Sequence, residues 1–402
     1  MKLRTLPPKL DLHGARVLVR VDWNVPLRHG TVMDAEKVTR TIPLLQELQS
    51  RGAVTFVCTH LGRPEKRDPE FSTKPLARAV STLSKLKVAY LDVDLNTKKG
   101  SDRYTEDLSR FSPGDIVLLE NVRFQEGEEK NDPALAKRYA KGIQYFINDA
   151  FASSHRKHVS VVGLTKLVPS YAGPQLVAEV EALQRVLEKP KKPYVAIIGG
   201  SKLTSKLAVL ERFLKIADAV LIGGAMAHPF LAAEKKAIGK SLIEKGSEQI
   251  AKRLLKAHRN KIVLPIDVIV SKKIAPGVPV RCASFDEIKA TEMIGDIGTE
   301  TMREWGVLIE QAKTIVWNGP VGVTENPSFS HGSLFLARVV ATRSKGSAYG
   351  LVGGGDTLPV IERSGMGEWI DYVSTGGGAM QEFIALNGKL PGIVPLQVTI
   401  KK

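Results

Sequence analysis

The stretch Val352-Gly353-Gly354-Gly355-Asp356-Thr357 follows a predicted buried strand at residues 348–352 and precedes a predicted helix that begins near residue 358. Glycines allow a ligand to approach the backbone closely, and the free N–H groups of a helix N-terminus attract anions. Asp356 suits a Mg²⁺ ion that accompanies a phosphate. The alternative interpretation is an ordinary tight turn in which Asp356 or Thr357 caps the helix.

The length and composition describe a globular protein with room for more than one domain. At 402 residues the chain is long enough for two or three domains, and 43% hydrophobic and 25% charged residues are ordinary values. No apolar run is long enough to span a membrane, and residues 1–8 do not resemble a signal peptide, so a cytoplasmic location is expected. Cys58 and Cys282 are predicted to be reduced core residues.

The net charge of +16 indicates an affinity for polyanions such as nucleotides or sugar phosphates. A merely basic surface is the alternative. Basic stretches with interleaved aromatic residues, which are typical of single-strand binding proteins, do not occur, so nucleic acid is not expected as a partner.

Four predicted strands in the first half of the chain end in polar loops. The strands cover residues 15–21, 53–59, 115–119 and 143–147. Ligands of open α/β sheets bind just beyond the carboxyl ends of the strands. The loops contain Asp22, Asn24, His60, Arg63, Arg123, His155 and Arg156. Arginine forks suit phosphate and carboxylate groups, so these loops together predict a site for a small phosphorylated acid; taken singly, each could be a turn.

A predicted helix at residues 173–189, ended by Pro190, separates this half from a second β/α series. Strands are predicted at residues 194–198, 218–222, 262–270, 314–317 and 369–373, the third of them interrupted by Pro265 and Asp267. Lys202 and Lys206 follow Gly199-Gly200 and are predicted to lie on one face of a new helix, where they suit a nucleotide phosphate. Gly376-Gly377-Gly378 is a second glycine run between a predicted strand and a predicted helix.

These motifs, in this order, resemble those of phosphoglycerate kinases along essentially the whole chain. The matching segments are VRVDWNVP at 19–26, HLGRP at 60–64, LLENVRF at 118–124, INDAFASSHRKH at 147–158, IIGGSKLTSK at 197–206, IGGAMA at 222–227, TIVWNGPVGV at 314–323, VGGGDT at 352–357, VSTGGGA at 373–379 and GKLPG at 388–392.

The resemblance implies an α/β fold with two Rossmann-like, doubly wound parallel-sheet domains, joined by a connecting helix and closing on a hinge around a central cleft. The implied divisions are a phosphoglycerate-binding domain at 1–172, the helix at 173–189, a nucleotide-binding domain at 190–385 and a segment at 386–402 that folds back onto the first domain. The implied reaction is reversible phosphoryl transfer from 1,3-bisphosphoglycerate to ADP, giving 3-phosphoglycerate and ATP with Mg²⁺, by a monomer.

Site residues follow from the matching motifs, and all of them remain expectations. Phosphoglycerate would be bound by Asp22, Trp23, Asn24, Lys37, His60, Arg63, Arg123 and Arg156. The nucleotide would be bound by Lys202, Lys206, Gly223, Gly224, Asn318, Glu325, Gly354, Gly355, Asp356 and Thr357, with Asp356 serving the metal. The catalytic groups would be Lys37, Lys206, Gly355 and Gly378.

One departure from the family bears directly on activity. Lys37 stands where the family has an arginine, in an alignment anchored by Gly30, Asp34 and Pro43. A lysine keeps the charge but loses the two-pronged fork, a loss that by analogy with arginine fingers could cost about 10³-fold in rate. Arg40, one helical turn further on, could take over this role. The alternative function is therefore a catalytically weakened paralogue that binds nucleotide and phosphoglycerate as a sensor or interaction protein.

Overall fold

The structure is a computed structural model that describes residues 1–28, 31–33 and 35–398. The chain forms two compact units. The first comprises Met1–Glu181 and the segment that begins at Gly388, and the second is Ala182–Asn387. Within the described residues, every helix is too short or too polar to cross a membrane.

The first unit alternates strands and helices. Its strands are β1 (Arg16–Arg20), β2 (Leu27–Arg28), β3 (Thr31–Val32), β4 (Val54–Cys58), β5 (Val88–Leu91), β6 (Ile116–Leu119), β7 (Tyr145–Asn148) and β8 (Ser170–Ala172). Its helices are α1 (Glu36–Thr39), α2 (Ile42–Ser50), α3 (Lys74–Ser84), α4 (Lys98–Leu108) and α5 (Pro133–Ala140), and the boundary between the units falls within α6 (Pro174–Leu187).

The sheet of the first unit is parallel, with the strand order β5-β6-β4-β1-β7-β8. The chain runs from β1 outward to one edge and then returns to add β7 and β8 on the other side of β1. The order therefore reverses between β1 and β7, and such a reversal opens the crevice in which ligands of doubly wound sheets bind.

The second unit contains a longer series of the same kind. Its strands are β9 (Tyr194–Ile198), β10 (Ala219–Ile222), β11 (Ile262–Val263), β12 (Asp267–Ser271), β13 (Arg281–Ser284), β14 (Met293–Ile297), β15 (Thr314–Asn318), β16 (Tyr349–Gly353) and β17 (Tyr372–Ser374). Its helices are α7 (Leu203–Ile216), α8 (His228–Ala233), α9 (Ser247–His258), α10 (Thr299–Gln311), α11 (His331–Lys345), α12 (Leu358–Ser364) and α13 (Gly378–Ala385).

The main sheet of the second unit is also parallel, in the order β11-β10-β9-β15-β16-β17. Counted along the chain this is 3-2-1-4-5-6, the order of dinucleotide-binding folds, and the reversal lies between β9 and β15. Every residue of β4, β9, β15 and β16 is buried, as expected for parallel sheets that are covered on both faces. The α/β architecture with two doubly wound parallel sheets, predicted from the sequence, is confirmed.

The strand predicted at residues 262–270 is interrupted at Pro265 as expected, but its two parts belong to different sheets. The chain leaves the parallel sheet after Val263, because Pro265 has no N–H to give to a ladder. It re-enters as β12, the centre of a separate antiparallel sheet in the order β13-β12-β14. Cys282 lies on β13 and is exposed, so its prediction as a core residue was wrong, whereas Cys58 is buried as predicted.

Two further local expectations change in the structure. The helix expected around Lys37 and Arg40 is divided into α1 and α2, and Pro43 in the first turn of α2 has no N–H to continue the ladder. The anchors Gly30 and Asp34 lie outside the described residues. The last strand begins at Tyr372, not at Trp369, which belongs to a 3₁₀ turn.

Candidate active site

In the first unit, the loops after β1 and β7 meet at the reversal of the sheet. The amide of Asp149, just past β7, donates to the carbonyl of Arg20 at the end of β1 (2.8 Å). In the loop after β1, the carboxylate of Asp22 pairs with Lys37 Nζ (2.8 Å). The side-chain oxygen of Asn24 accepts the amide of Gly62 (2.9 Å). The structure therefore brings the predicted groups after β1, β4 and β7 to one edge of the sheet.

Three of the predicted arginines line one cavity of about 740 Å³ in the first unit, namely Arg63, Arg123 and Arg156. Arg123 donates to the carbonyl of Gly62 (2.7 Å) and pairs with Glu129 (3.3 Å). Its buried Nε has no hydrogen-bond partner among the described residues. Burial lowers the pKa of Arg123, Glu129 raises it, and the neighbouring cations Arg156, Arg20 and Arg63 lower it further. A bound anion would relieve the repulsion among these cations.

His60 is held in a defined tautomer. The guanidinium of Arg20 lies 3.1 Å from His60 Nδ1, and arginine can only donate, so Nδ1 accepts and Nε2 carries the proton. Burial, followed by the charges of Arg20, Arg123, Arg156 and Lys37, lowers the pKa of His60 to about 2. His60 is therefore a neutral N–H donor at this site.

Sequence reasoning missed Arg20 as a member of this site. Arg20 is 1% exposed, and it donates to Ser160 (3.0 Å), to the carbonyl of Val21 (2.7 Å) and to Ser153 (3.4 Å). Ser160 in turn donates to the buried Glu128 (2.5 Å). The available signal was a charged residue inside an apolar strand, because a buried charge needs partners.

The structure turns two of the considered residues away from this site. Trp23 is completely buried, and its indole N–H donates to the Thr41 hydroxyl (2.8 Å), so its side chain belongs to the core and not to a ligand surface. Arg40 pairs with Glu36 (2.5 Å), one turn back on the same helical segment. Arg40 is thus already engaged, and Lys37 is the cation beside Asp22.

In the second unit, Lys206 lies at the reversal between β9 and β15. Its Nζ donates to the carbonyl of Gly199 past β9 (2.7 Å) and lies 3.3 Å from the carbonyl of Asn318 at the end of β15. Burial lowers the pKa of Lys206 to about 8, against the opposing effect of Asp356. The sheet therefore holds an ammonium group, partly desolvated, where a phosphate ligand is expected.

Lys202 does not share a helix face with Lys206, contrary to the prediction. Helix α7 begins at Leu203, and Lys202 precedes it in an extended conformation. The first turn of α7 is already capped by a carboxylate, because Glu244 accepts from the Thr204 amide (3.1 Å) and from its hydroxyl (2.5 Å). The α7 N-terminus is thus satisfied within the protein, and Lys202 is an exposed lysine beside it.

Two predicted nucleotide-binding side chains hold the loops together instead. Asn318 is completely buried, and its amide group donates to the carbonyl of Gly353 (3.1 Å). Thr357 is also completely buried; its hydroxyl donates to the same carbonyl (3.1 Å) and accepts the amide of Gly319 (2.8 Å). These bonds link the loop after β15 to the glycine loop after β16. Both side chains therefore hold the two loops in place and do not face a ligand themselves.

The glycines nearest the two helix N-termini face open space. A Cβ built on Gly355, Gly377 or Gly378 meets nothing within 4 Å, and Gly377 has a φ of +52°. Gly354, by contrast, has a φ of +110° and its Cβ would approach Asn318 and Thr357 closely. Packing therefore accounts for Gly354, but not for the missing side chains at Gly355 and Gly378.

The second unit has a cavity of about 260 Å³ that is lined in part by Asp356 and by Gly200, and the ammonium group of Lys206 lies close to Gly200. Its lining includes the predicted Gly224, Glu325 and Asp356. The predicted Gly223 lies behind it, since a Cβ there would meet Val321 at 2.6 Å. Sequence reasoning missed the apolar walls, which come from α8 and from the antiparallel sheet through Leu231, Val268 and Ile294. Asp356 is exposed and fits a Mg²⁺ ion, which proteins usually hold through one or two carboxylates together with phosphate oxygens.

Comparisons with known proteins agree with one another. The family model described as phosphoglycerate kinase matches residues 8–389. A protein named phosphoglycerate kinase from Thermus thermophilus is 41% identical over 392 residues, which is 96% of this chain and 98% of the relative. One from Deinococcus radiodurans is 42% identical over 391 residues, which is 96% of this chain and 93% of the relative. The solved phosphoglycerate kinase of Coxiella burnetii is 39% identical with a TM-score of 0.86, and that of Pyrococcus horikoshii 30% identical with a TM-score of 0.81; each match covers 96% of this chain and 97% of the other.

Proposed function

The chain belongs to the phosphoglycerate kinase family, and from that membership we propose which of its residues carry the reaction. The protein is a phosphoglycerate kinase, a glycolytic enzyme that transfers a phosphoryl group reversibly between 1,3-bisphosphoglycerate and ADP, giving 3-phosphoglycerate and ATP. The observation that best supports the assignment of roles is the position of Lys206, which joins the ends of β9 and β15 at the reversal of the second sheet.

We propose that the first unit binds phosphoglycerate. Most of its candidate residues offer a hydrogen-bond donor or a positive charge at one edge of the sheet, namely Lys37, His60, Arg63, Arg123 and Arg156. Asp22 and Asn24 would be hydrogen-bond partners for hydroxyl groups. The mutual repulsion of the arginines supports this role, because an anion relieves it.

We propose that the second unit binds the nucleotide in the cavity beside Lys206. Gly224 and Glu325 line that cavity, and Asp356 would hold the magnesium ion that neutralises phosphate charge when it is bound. Phosphoryl transfer needs positioning and charge stabilisation more than covalent chemistry. Lys206 supplies positive charge, and the open backbone of Gly355 and Gly378 supplies amide donors for the transferring group.

The lowered pKa of Lys206 gives a direct test of nucleotide binding. At pH 8 the free Lys206 is about half protonated, since its pKa is about 8. A bound polyphosphate favours the charged form and raises that pKa. We therefore expect MgADP binding at pH 8 to take up roughly half a proton, measured by calorimetry in buffers of different ionisation enthalpy. Lys206→Met should abolish the uptake, and proton release by the wild type would contradict the assignment.

The role of Lys37 can be tested by comparing the wild type with Lys37→Arg, which restores the residue that the family has at this position. Because Lys37 already lies 2.8 Å from Asp22, we expect the wild type to turn over and Lys37→Arg to change kcat/KM by less than about 10-fold, whereas Lys37→Met should lose about 10²-fold or more. The measurement is a coupled assay of ATP-dependent phosphorylation of 3-phosphoglycerate.

The matched control for Lys37 is Arg40→Met, because Arg40 is paired with Glu36 and should matter little to kcat. A nearly inactive wild type that Lys37→Arg restores by orders of magnitude would instead support the weakened paralogue. That alternative receives no support from the family match or from the relatives. A monomer in the cytoplasm is the state we propose for the active enzyme.

A further inference from the structure

His228 lies in the wall of the cavity of the second unit, at the first residue of α8. It follows the loop that contains Gly224 at the end of β10, and its exposed fraction is 4%. The motif comparison assigned it no role, although a histidine just beyond a glycine pair was a usable signal. A nearly buried histidine in a ligand cavity has few ways to satisfy its two ring nitrogens.

The hydrogen bonding of His228 defines its tautomer. The Nδ1 atom lies 2.9 Å from the carbonyl oxygen of Leu242, and a carbonyl can only accept, so Nδ1 carries the proton. Burial lowers the pKa of His228, against the opposing effect of that carbonyl, and the ring is neutral at physiological pH. The remaining nitrogen, Nε2, is therefore an acceptor, and it forms no hydrogen bond with any residue that the structure describes.

Nε2 of His228 is an unpaired polar atom in a part of the cavity that is otherwise apolar. The nearby walls are apolar and include Leu231, Val268 and Val321. Asp296 is buried there too, but its carboxylate is occupied by the amides of Gly332 (2.8 Å) and Ile297 (2.9 Å). Glu325 and Asp356 also line the cavity, and both are solvent-exposed. His228 therefore offers an unpaired acceptor in the apolar part, where a flat aromatic base fits better than a phosphate.

We propose that His228 is a specificity-determining residue whose Nε2 accepts a hydrogen bond from the exocyclic amino group of adenine. The inference rests on the proposed nucleotide site in this cavity. A 6-amino purine presents a donor to Nε2. A 6-oxo purine presents an acceptor at the same position. Once the bound base has displaced water, two acceptors face each other, which is unfavourable because neither is then paired.

The test compares three nucleotides by isothermal titration calorimetry with Mg²⁺: ADP, purine riboside 5′-diphosphate, which lacks the 6-amino group, and 2′-deoxy-ADP. His228→Asn is the matched variant, because the asparagine amide can still donate to the carbonyl of Leu242 but places no acceptor where Nε2 lies. His228→Phe is the second variant and keeps the ring without either nitrogen. Thermal unfolding of each variant checks that the fold is retained.

We expect the wild type to bind ADP about 2- to 12-fold more tightly than purine riboside diphosphate, the range for one net hydrogen bond. In both variants this ratio should fall to about 1, with the affinity for purine riboside diphosphate retained and the ratio of ADP to 2′-deoxy-ADP unchanged. An ADP preference that survives in both variants would overturn the inference. A change in the ratio of ADP to 2′-deoxy-ADP would overturn it too, because it would show that His228 contacts the ribose and not the base. Failure of all three nucleotides to bind the wild type would overturn the proposed nucleotide site itself.

Discussion

Replacing Lys206 with methionine should lower kcat by about 10³-fold or more, by analogy with the removal of an arginine finger from phosphoryl-transfer enzymes. The ammonium group lies where the ends of β9 and β15 meet, bonded to the carbonyl of Gly199 and close to that of Asn318. Methionine fills a similar volume without the charge. The loss should therefore appear in turnover, because the packing around the site is kept.

The control for this variant is Lys202→Met. Lys202 carries the same charge only four positions earlier, but it is exposed and precedes helix α7. We expect it to change kcat by less than about 10-fold, because exposed charges are screened by water and salt. The coupled assay at saturating substrates measures both. Equal losses from the two variants would show that the charge acts at long range and not from the sheet reversal.

The same substitution should make the folded protein more stable at neutral pH. The pKa of Lys206 is about 8 in the folded state, below the value of roughly 10.4 for an unfolded lysine. Between these values the unfolded chain binds more protons, so stability rises with pH from about 8 to 10.4 and the cost of the buried charge is fully present below pH 8. Removing the charge should remove that slope and raise the free energy of unfolding at pH 7, as urea titrations at several pH values can show.

If Lys206 acts in the site, its replacement should raise stability and lower activity. Replacement of a purely structural residue should lower both. Asn318 and Thr357, which lie in the same loops, are such structural residues. Both are completely buried, and their bonds to Gly353 and Gly319 connect neighbouring strand ends. Their removal should cost stability and activity together, since buried partners would be left unpaired.

The ends of the parallel strands were predictable from sequence, and so were the charged groups that follow them. Strands such as β6 and β9 are continuous apolar runs, and in parallel sheets these end in the loops that bind ligands. Which side chain in such a loop faces the ligand was not predictable. Trp23 and Asn318 occupy motif positions, yet both are fully buried, because that orientation depends on packing from elements distant in sequence.

The walls of the nucleotide cavity were also beyond sequence reasoning. Val268 and Ile294 come from the antiparallel sheet β13-β12-β14, whose existence depends on the chain leaving the parallel sheet at Pro265. Similarly, the expected pair of lysines on α7 assumed that the helix begins before Lys202, whereas Glu244, some forty residues later in the chain, caps it at Thr204. Contacts of this range leave no local signature.

Replacing Gly378 with alanine should leave the fold intact and lower kcat by about 10²-fold, the effect expected when one well-placed donor can no longer reach a site of developing charge. Gly378 is the first residue of α13, and a Cβ there meets nothing within 4 Å. Alanine in place of glycine favours a helix by about 0.5–1 kcal/mol. The protein alone therefore has no need of glycine at this position. The need arises if a phosphoryl group must approach the backbone as closely as an amide hydrogen bond requires.

The control is Gly367→Ala, at a half-buried glycine that also begins a helical turn, where the new Cβ would make an ordinary 3.5 Å contact with Ile361. Thermal unfolding should place both variants at or above the wild type, while the coupled assay separates them, with Gly367→Ala active and Gly378→Ala impaired in kcat more than in KM. This split follows from geometry, because a methyl group beside the transferring phosphoryl blocks an approach that is completed only in the transition state. If Gly378→Ala is as active as the wild type, the amides at the start of α13 do not reach the reacting group, and the charge must be stabilised by Lys206 and the amides of the loop at Gly355.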